Sequence, residues 1–127
     1  MKDIFKDVLL KTKREGMQDL IDYLEEIGFF TAPASTRYHG AYDGALVEHS
    51  LNVLHAAEQL CIAWLGHEKY KEIEDSVDIC ALLHDVGKCG QFGKPLYVPN
   101  ILKTGQSKTQ PYTKNPDLMT LPHEIVS

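Results

Sequence analysis

The stretch Ala81-Leu-Leu-His-Asp-Val-Gly-Lys88 decides how this chain reads. Here an imidazole and a carboxylate, His84 and Asp85, stand side by side at the end of an apolar run that extends back through Val77 and Ile79. A run this apolar belongs in a core. An ionised carboxylate in a low-dielectric interior is costly unless a cation, a metal or a set of hydrogen bonds offsets it. A bound metal would do so.

Working outward, the helix carrying the doublet is predicted from about Asp75 to Gly87, with 67–74 as a charged connection before it. A longer helix is predicted from Asp43, as N-cap, to about Leu65, through Leu46, His49, Val53, Ala56, Ala57, Leu60 and Trp64, with Gly66 closing it. Two amphipathic helices are expected over 3–13 and 16–28, the second ended by Gly28. The segment from Phe29 to Gly40 reads as a loop, packed at its aromatic start and polar at its end.

After Cys89 the character changes, because five of the six prolines (Pro95, Pro99, Pro111, Pro116 and Pro122) lie there with Gly90, Gly93 and Gly105. Helix is disfavoured in such a segment. Residues 96–102 and 108–113, around a glycine-containing turn, can pair as a short β-hairpin near the middle of a Pro-rich insertion at 90–121. The fold class expected is therefore all-α, a helical bundle in one domain over 1–127.

A net charge of −5 argues against a surface built wholly to grip duplex nucleic acid. It leaves room for a local anion-binding patch. Cys61, Cys80 and Cys89 show no Cys-x-x-Cys spacing and fit a reducing compartment. The start, Met1-Lys-Asp-Ile-Phe-Lys-Asp-Val, does not read as a signal peptide, and nothing approaches a membrane span, so a soluble cytoplasmic protein is expected.

His49 falls on the inner stripe of the long helix, where a polar ring needs a partner. If the two helices pack together, His49, His84 and Asp85 meet as two nitrogen ligands and one oxygen ligand, a set suited to Zn, Mn or Fe. The plainer alternative is a core histidine hydrogen-bonded to a carboxylate. With two histidines and an aspartate on two apolar helices, a shared metal is the stronger reading.

These residues carry a resemblance. Together with Pro33-Ala-Ser-Thr-Arg-Tyr-His-Gly-Ala-Tyr-Asp-Gly-Ala-Leu-Val-Glu-His-Ser-Leu-Asn-Val53, the stretch 81–88 resembles the HD-domain metal-dependent phosphohydrolases. It is most similar to the branch with HD-type 3′-to-5′ exoribonucleases and phage-type HD hydrolases. The resemblance implies an HD-like helical bundle holding a divalent metal ion (Mn, Fe, Ni, Zn or Mg). His49, His84 and Asp85 are its implied ligands, and Asp85 and Lys88 the implied catalytic pair. Lys88 matches a lysine that faces substrate phosphate; as a plain alternative it is a helix-end charge favoured by the dipole. His39 and His123 resemble residues serving substrate or a second metal, while Arg37 and Lys94 complete the implied substrate-binding set. His55 is expected to pack on the long helix and His67 to be solvated.

The family pattern ends with an aspartate ligand on a later helix. Asp117 is the only later aspartate before Ser127 and precedes His123, so the resemblance implies a domain incomplete at its C-terminal end. A catalytically silent nucleotide-binding or regulatory module is the alternative this departure raises. The implied partner is a phosphate-containing small molecule or single-stranded nucleic acid. Between Val86 and Pro116 stand Lys88, Lys94, Lys103, Lys108 and Lys114 and no acidic residue, a segregation suited to steering an anion and equally to a solvated loop. Phe92, Tyr97 and Tyr112 can stack a base or simply pin that segment.

Overall fold

A computed structural model describes residues 1–37, 39–90 and 94–118. Among them are four α-helices: α1 (Lys2–Lys11), α2 (Met17–Glu26), α3 (Ala45–Leu65) and α4 (His67–Leu83). Helix α1 buries Phe5 and Leu9, one turn apart, and α2 buries Ile21 and Leu24. Gly28 ends α2 as expected, at φ +80, a left-handed conformation that glycine adopts without penalty. Its N–H donates to the Glu25 carbonyl (3.1 Å) and the Phe29 N–H to the Leu24 carbonyl (2.9 Å), the paired closure of a Schellman end. That closure drives Phe29 into the core. Its ring lies 5.0 Å from Phe5 and 5.4 Å from Phe30, and the trio anchors the loop leading to α3.

The N-terminus of α3 departs from expectation, for Gly44 is the N-cap and no side chain caps it. Asp43 instead accepts a hydrogen bond from the Tyr112 hydroxyl, which draws its carboxylate away from the helix end. The inner stripe also stops early. Leu46, Val47, Ser50 and Leu54 are buried, whereas Leu60 and Trp64 are 61% and 86% exposed. His55 is exposed too, its Nε2 3.0 Å from Gln59, because it turns away from α4.

The largest correction concerns 67–74, which is helical. Gly66 interrupts the chain for a single residue (φ 82, ψ 162), and its carbonyl then accepts the Tyr70 N–H at 3.0 Å to start α4 at His67. The segment's lysines and glutamates are good helix formers, the Lys71–Glu74 pair spans one turn at 3.2 Å, and buried Tyr70 ties the turn to the core. A charged stretch thus became a solvated helix face. Helices α3 and α4 form the principal packed pair of the fold, with Ala81 and Leu82 in the same core cluster as Leu46 and Leu54.

One α4 residue opposes that packing. Asp78 is 7% exposed, its Oδ1 has no hydrogen-bond partner among the described residues, and burial followed by Glu58, Glu74 and Asp75 pushes its carboxyl up to about 6 against the pull of Lys11. The folded chain therefore favours the neutral acid, so this contribution is full below about pH 4 and is lost as the pH rises through about 6. Asp78→Asn is expected to raise stability at pH 7 by roughly 1–2 kcal/mol after solvent screening, and to flatten the decline across that window. Urea unfolding at pH 4.5 and 7 reads both; an unchanged pH slope would contradict the assignment.

Beyond the helices, the expected hairpin exists in two parts. Strand β1 (Tyr97–Pro99) pairs antiparallel with β4 (Tyr112–Lys114), and β2 (Ile101–Leu102) with β3 (Gly105–Gln106). Among the described residues no helix is long and apolar enough to cross a membrane.

Candidate metal centre

Helix α4 ends at Leu83, four residues before the Gly87 that its pattern suggests, because Asp85 leaves helical geometry (φ −112, ψ 19). A short 3-10 turn, Val86–Cys89, follows, with the Lys88 N–H donating to the Asp85 carbonyl at 3.0 Å. Leaving the helix at this point turns His84, Asp85 and Lys88 to one side. Gly90 then reverses the chain at φ +108, where a Cβ would stand 1.7 Å from the Lys94 carbonyl oxygen. Only glycine fits there.

Three nitrogens converge on one carboxylate oxygen. Asp85 Oδ2 lies 3.0 Å from His49 Nε2, 3.1 Å from His84 Nε2 and 3.2 Å from Lys88 Nζ, and the Asp85 side chain is 6% exposed. His49 arrives from α3, so the packing of α3 on α4 assembles the cluster. The His84 Nδ1–H donates to the Ala81 carbonyl at 2.7 Å, which assigns the proton of the neutral ring to Nδ1 and leaves a lone pair at Nε2. This is how a metal-ligating histidine is ordinarily oriented. The lone pair faces the carboxylate oxygen, an arrangement of two acceptors that needs a proton or a cation between them. His49, His84 and Asp85, whose ligand atoms all lie within 4.8 Å of one another, could hold a metal ion. Two imidazole nitrogens and a carboxylate oxygen suit a borderline divalent cation and leave coordination positions open.

A cavity of about 510 Å³ adjoins the centre and is lined by His49 and Lys88. His39, an exposed residue, lines the same cavity. Arg37 lines a separate cavity with Ala41, Lys108 and Pro111. Lys94 is exposed, with its carbonyl oxygen packed toward Gly90. His123 and Phe92 lie outside the described residues. Sequence reasoning passed over Tyr42, Glu48 and Asn52, which line the same cavity, with the Tyr42 hydroxyl donating to Glu48. The signal was there in Ala45, Glu48, His49 and Asn52, one helix face at i, i+3, i+4 and i+7. Near the centre, burial and then the Asp85 charge push the Tyr97 phenol above its ordinary value. All three cysteines are free, and burial pushes the Cys89 thiol up to about 12.

Compared with models of known protein families, residues 46–115, more than half of the chain, match the HD domain. No curated protein and no solved structure matches the chain.

Proposed function

Because the chain belongs to the HD-domain family, we propose that it is a metal-dependent phosphohydrolase or phosphodiesterase acting on a nucleotide or a short single-stranded nucleic acid. The observation that carries this reading is the His84 Nε2 lone pair aimed at Asp85 Oδ2 beside His49, in a cluster that opens onto a cavity. A divalent cation held by His49, His84 and Asp85 would supply Lewis acidity toward a phosphoryl oxygen and a more acidic water. Asp85 orients the attacking water. Lys88, held against Asp85 on one side and lining the cavity on the other, meets the negative charge that grows on the phosphoryl oxygens. His39 binds substrate from the cavity rim, and the exposed lysines Lys94, Lys103, Lys108 and Lys114 draw an anion toward it in a chain of net charge −5. The resemblance of 33–53 and 81–88 to the branch with HD-type exoribonucleases favours a single-stranded substrate.

The test is elemental analysis of the purified chain together with turnover of bis(p-nitrophenyl) phosphate in added Mn, Fe, Ni, Zn or Mg. About one ion per chain and turnover abolished by chelation and by His84→Ala are expected. Metal binding and nucleotide binding without any turnover would identify a silent regulatory module instead.

A further inference from the structure

A second cavity, of about 360 Å³, shares Lys88 with the first, and none of His49, His84 and Asp85 lines it. We propose that it is the subsite for the heterocycle of a nucleoside phosphate, selecting a base that offers an N–H donor edge such as guanine; the proposal rests on the phosphohydrolase reading of the adjoining centre. The cavity is bounded by Leu96, Tyr97 and Tyr112 together with Asp43, Gln106 and Lys88. Lys88 is common to both cavities, so a phosphate engaged by it from the metal side leaves the rest of the molecule facing this second space.

The lining chooses among possible occupants. The half-buried Tyr97 supplies an aromatic wall, and flat wall against flat ring is how proteins hold bases without reading much else. An aliphatic chain would press apolar matter against the Asp43 carboxylate and strip it of water, which is costly. A second anionic group would be repelled by Asp43. A neutral ring with N–H groups at its edge satisfies that carboxylate instead, as carboxylates accept from base amino groups. The carboxylate is held for this purpose by the Tyr112 hydroxyl, and Tyr112 is itself fixed in β4 with its N–H donating to the Thr36 carbonyl at 3.2 Å. Asp43 thus sits outside α3 as a recognition group and not as its cap.

Binding of unphosphorylated guanosine to the full 127-residue chain, measured by titration calorimetry against ribose, tests this without requiring turnover. Guanosine should bind at least tenfold more tightly than ribose, and Tyr97→Ala should weaken guanosine on the order of tenfold while Tyr97→Phe keeps the affinity. Asp43→Asn should remove the advantage of guanosine over 1-methylguanosine, which lacks the N1–H donor. Guanosine binding no better than ribose, or binding indifferent to both Tyr97→Ala and Asp43→Asn in variants that melt like the parent, overturns the proposal. Metal-dependent phosphodiester turnover with no guanosine preference would sink this subsite alone. Guanosine binding in a chain without turnover would retain it and remove the hydrolase.

Discussion

Asp85→Asn is expected to abolish metal retention and to lower phosphodiester turnover by at least on the order of 10³-fold, the scale of losing one preorganised charge at a reacting centre. The reason is that a single atom, Asp85 Oδ2, is the meeting point of His49 Nε2, His84 Nε2 and Lys88 Nζ. Asparagine keeps the shape and removes the charge. Metal affinity should fall by more than the roughly 10- to 100-fold that follows from losing an outer partner of a ligand, because here a ligand itself is lost. The fold should survive, since asparagine keeps the side-chain volume and the backbone carbonyl at 85 still accepts the Lys88 N–H. Equilibrium dialysis with Mn or Zn, turnover and a circular dichroism spectrum together read the three parts. Lys88→Met supplies the contrast: it should keep the metal and lose turnover about 10²- to 10³-fold, because Lys88 acts on the substrate side. An Asp85→Asn protein that still held about one ion and turned over normally would remove the centre from its place in the mechanism.

How much of this was legible in the sequence follows from which physical constraints are local. The convergence of His49 with His84 and Asp85 was legible because both sit on apolar helical runs, and an apolar run has few places to go but against another. Gly28 and Gly66 were legible as helix ends because they carry a left-handed backbone that other residues avoid. The start of α4 was not, because six of its first eight residues are exposed and the one that ties them down, Tyr70, is recognisable only once α3 is packed beside it. The exposed end of α3 misled for the opposite reason. Leu60 and Trp64 continue the periodicity of the buried face, and periodicity says nothing about where the partner helix ends. Asp43 has the chemistry of an N-cap and a more distant use, since Tyr112 is 69 residues away in sequence. The turn at Asp85, which aims the doublet, is likewise a product of the 3-10 segment and Gly90, and no helical pattern announces it.

Phe29→Ala should be the most destabilising single truncation in the loop that leads to the centre, at about 3–5 kcal/mol. Phe29 is fully buried, packs against both Phe5 and Phe30, and occupies the position whose N–H closes α2 on the Leu24 carbonyl. Removing the ring leaves a cavity among α1, α2 and the loop, and the tilted and edge-on contacts that ring makes add to the loss. Set against a total of about 5–15 kcal/mol for a domain, the change is a large fraction of the whole. The melting temperature should fall by roughly 10–20 °C. The consequence for function is unequal across the site. His84 and Asp85 are carried by the end of α4, so the folded fraction should still bind its metal ion. The strand of loop after Phe29, however, is what positions Ala32, whose carbonyl accepts the Leu46 N–H at 3.0 Å, and Ala34, which lines the cavity beside His49. Loosening it should raise KM more than it lowers kcat at a temperature well below the melt. Phe29→Leu, which refills most of the volume, should recover most of the stability and return KM toward the parent value. Urea unfolding with metal analysis of the same samples checks the pair; a loss below about 1.5 kcal/mol for Phe29→Ala, or metal lost in proportion to KM, would show that the aromatic trio does not hold the site wall in the way its geometry suggests.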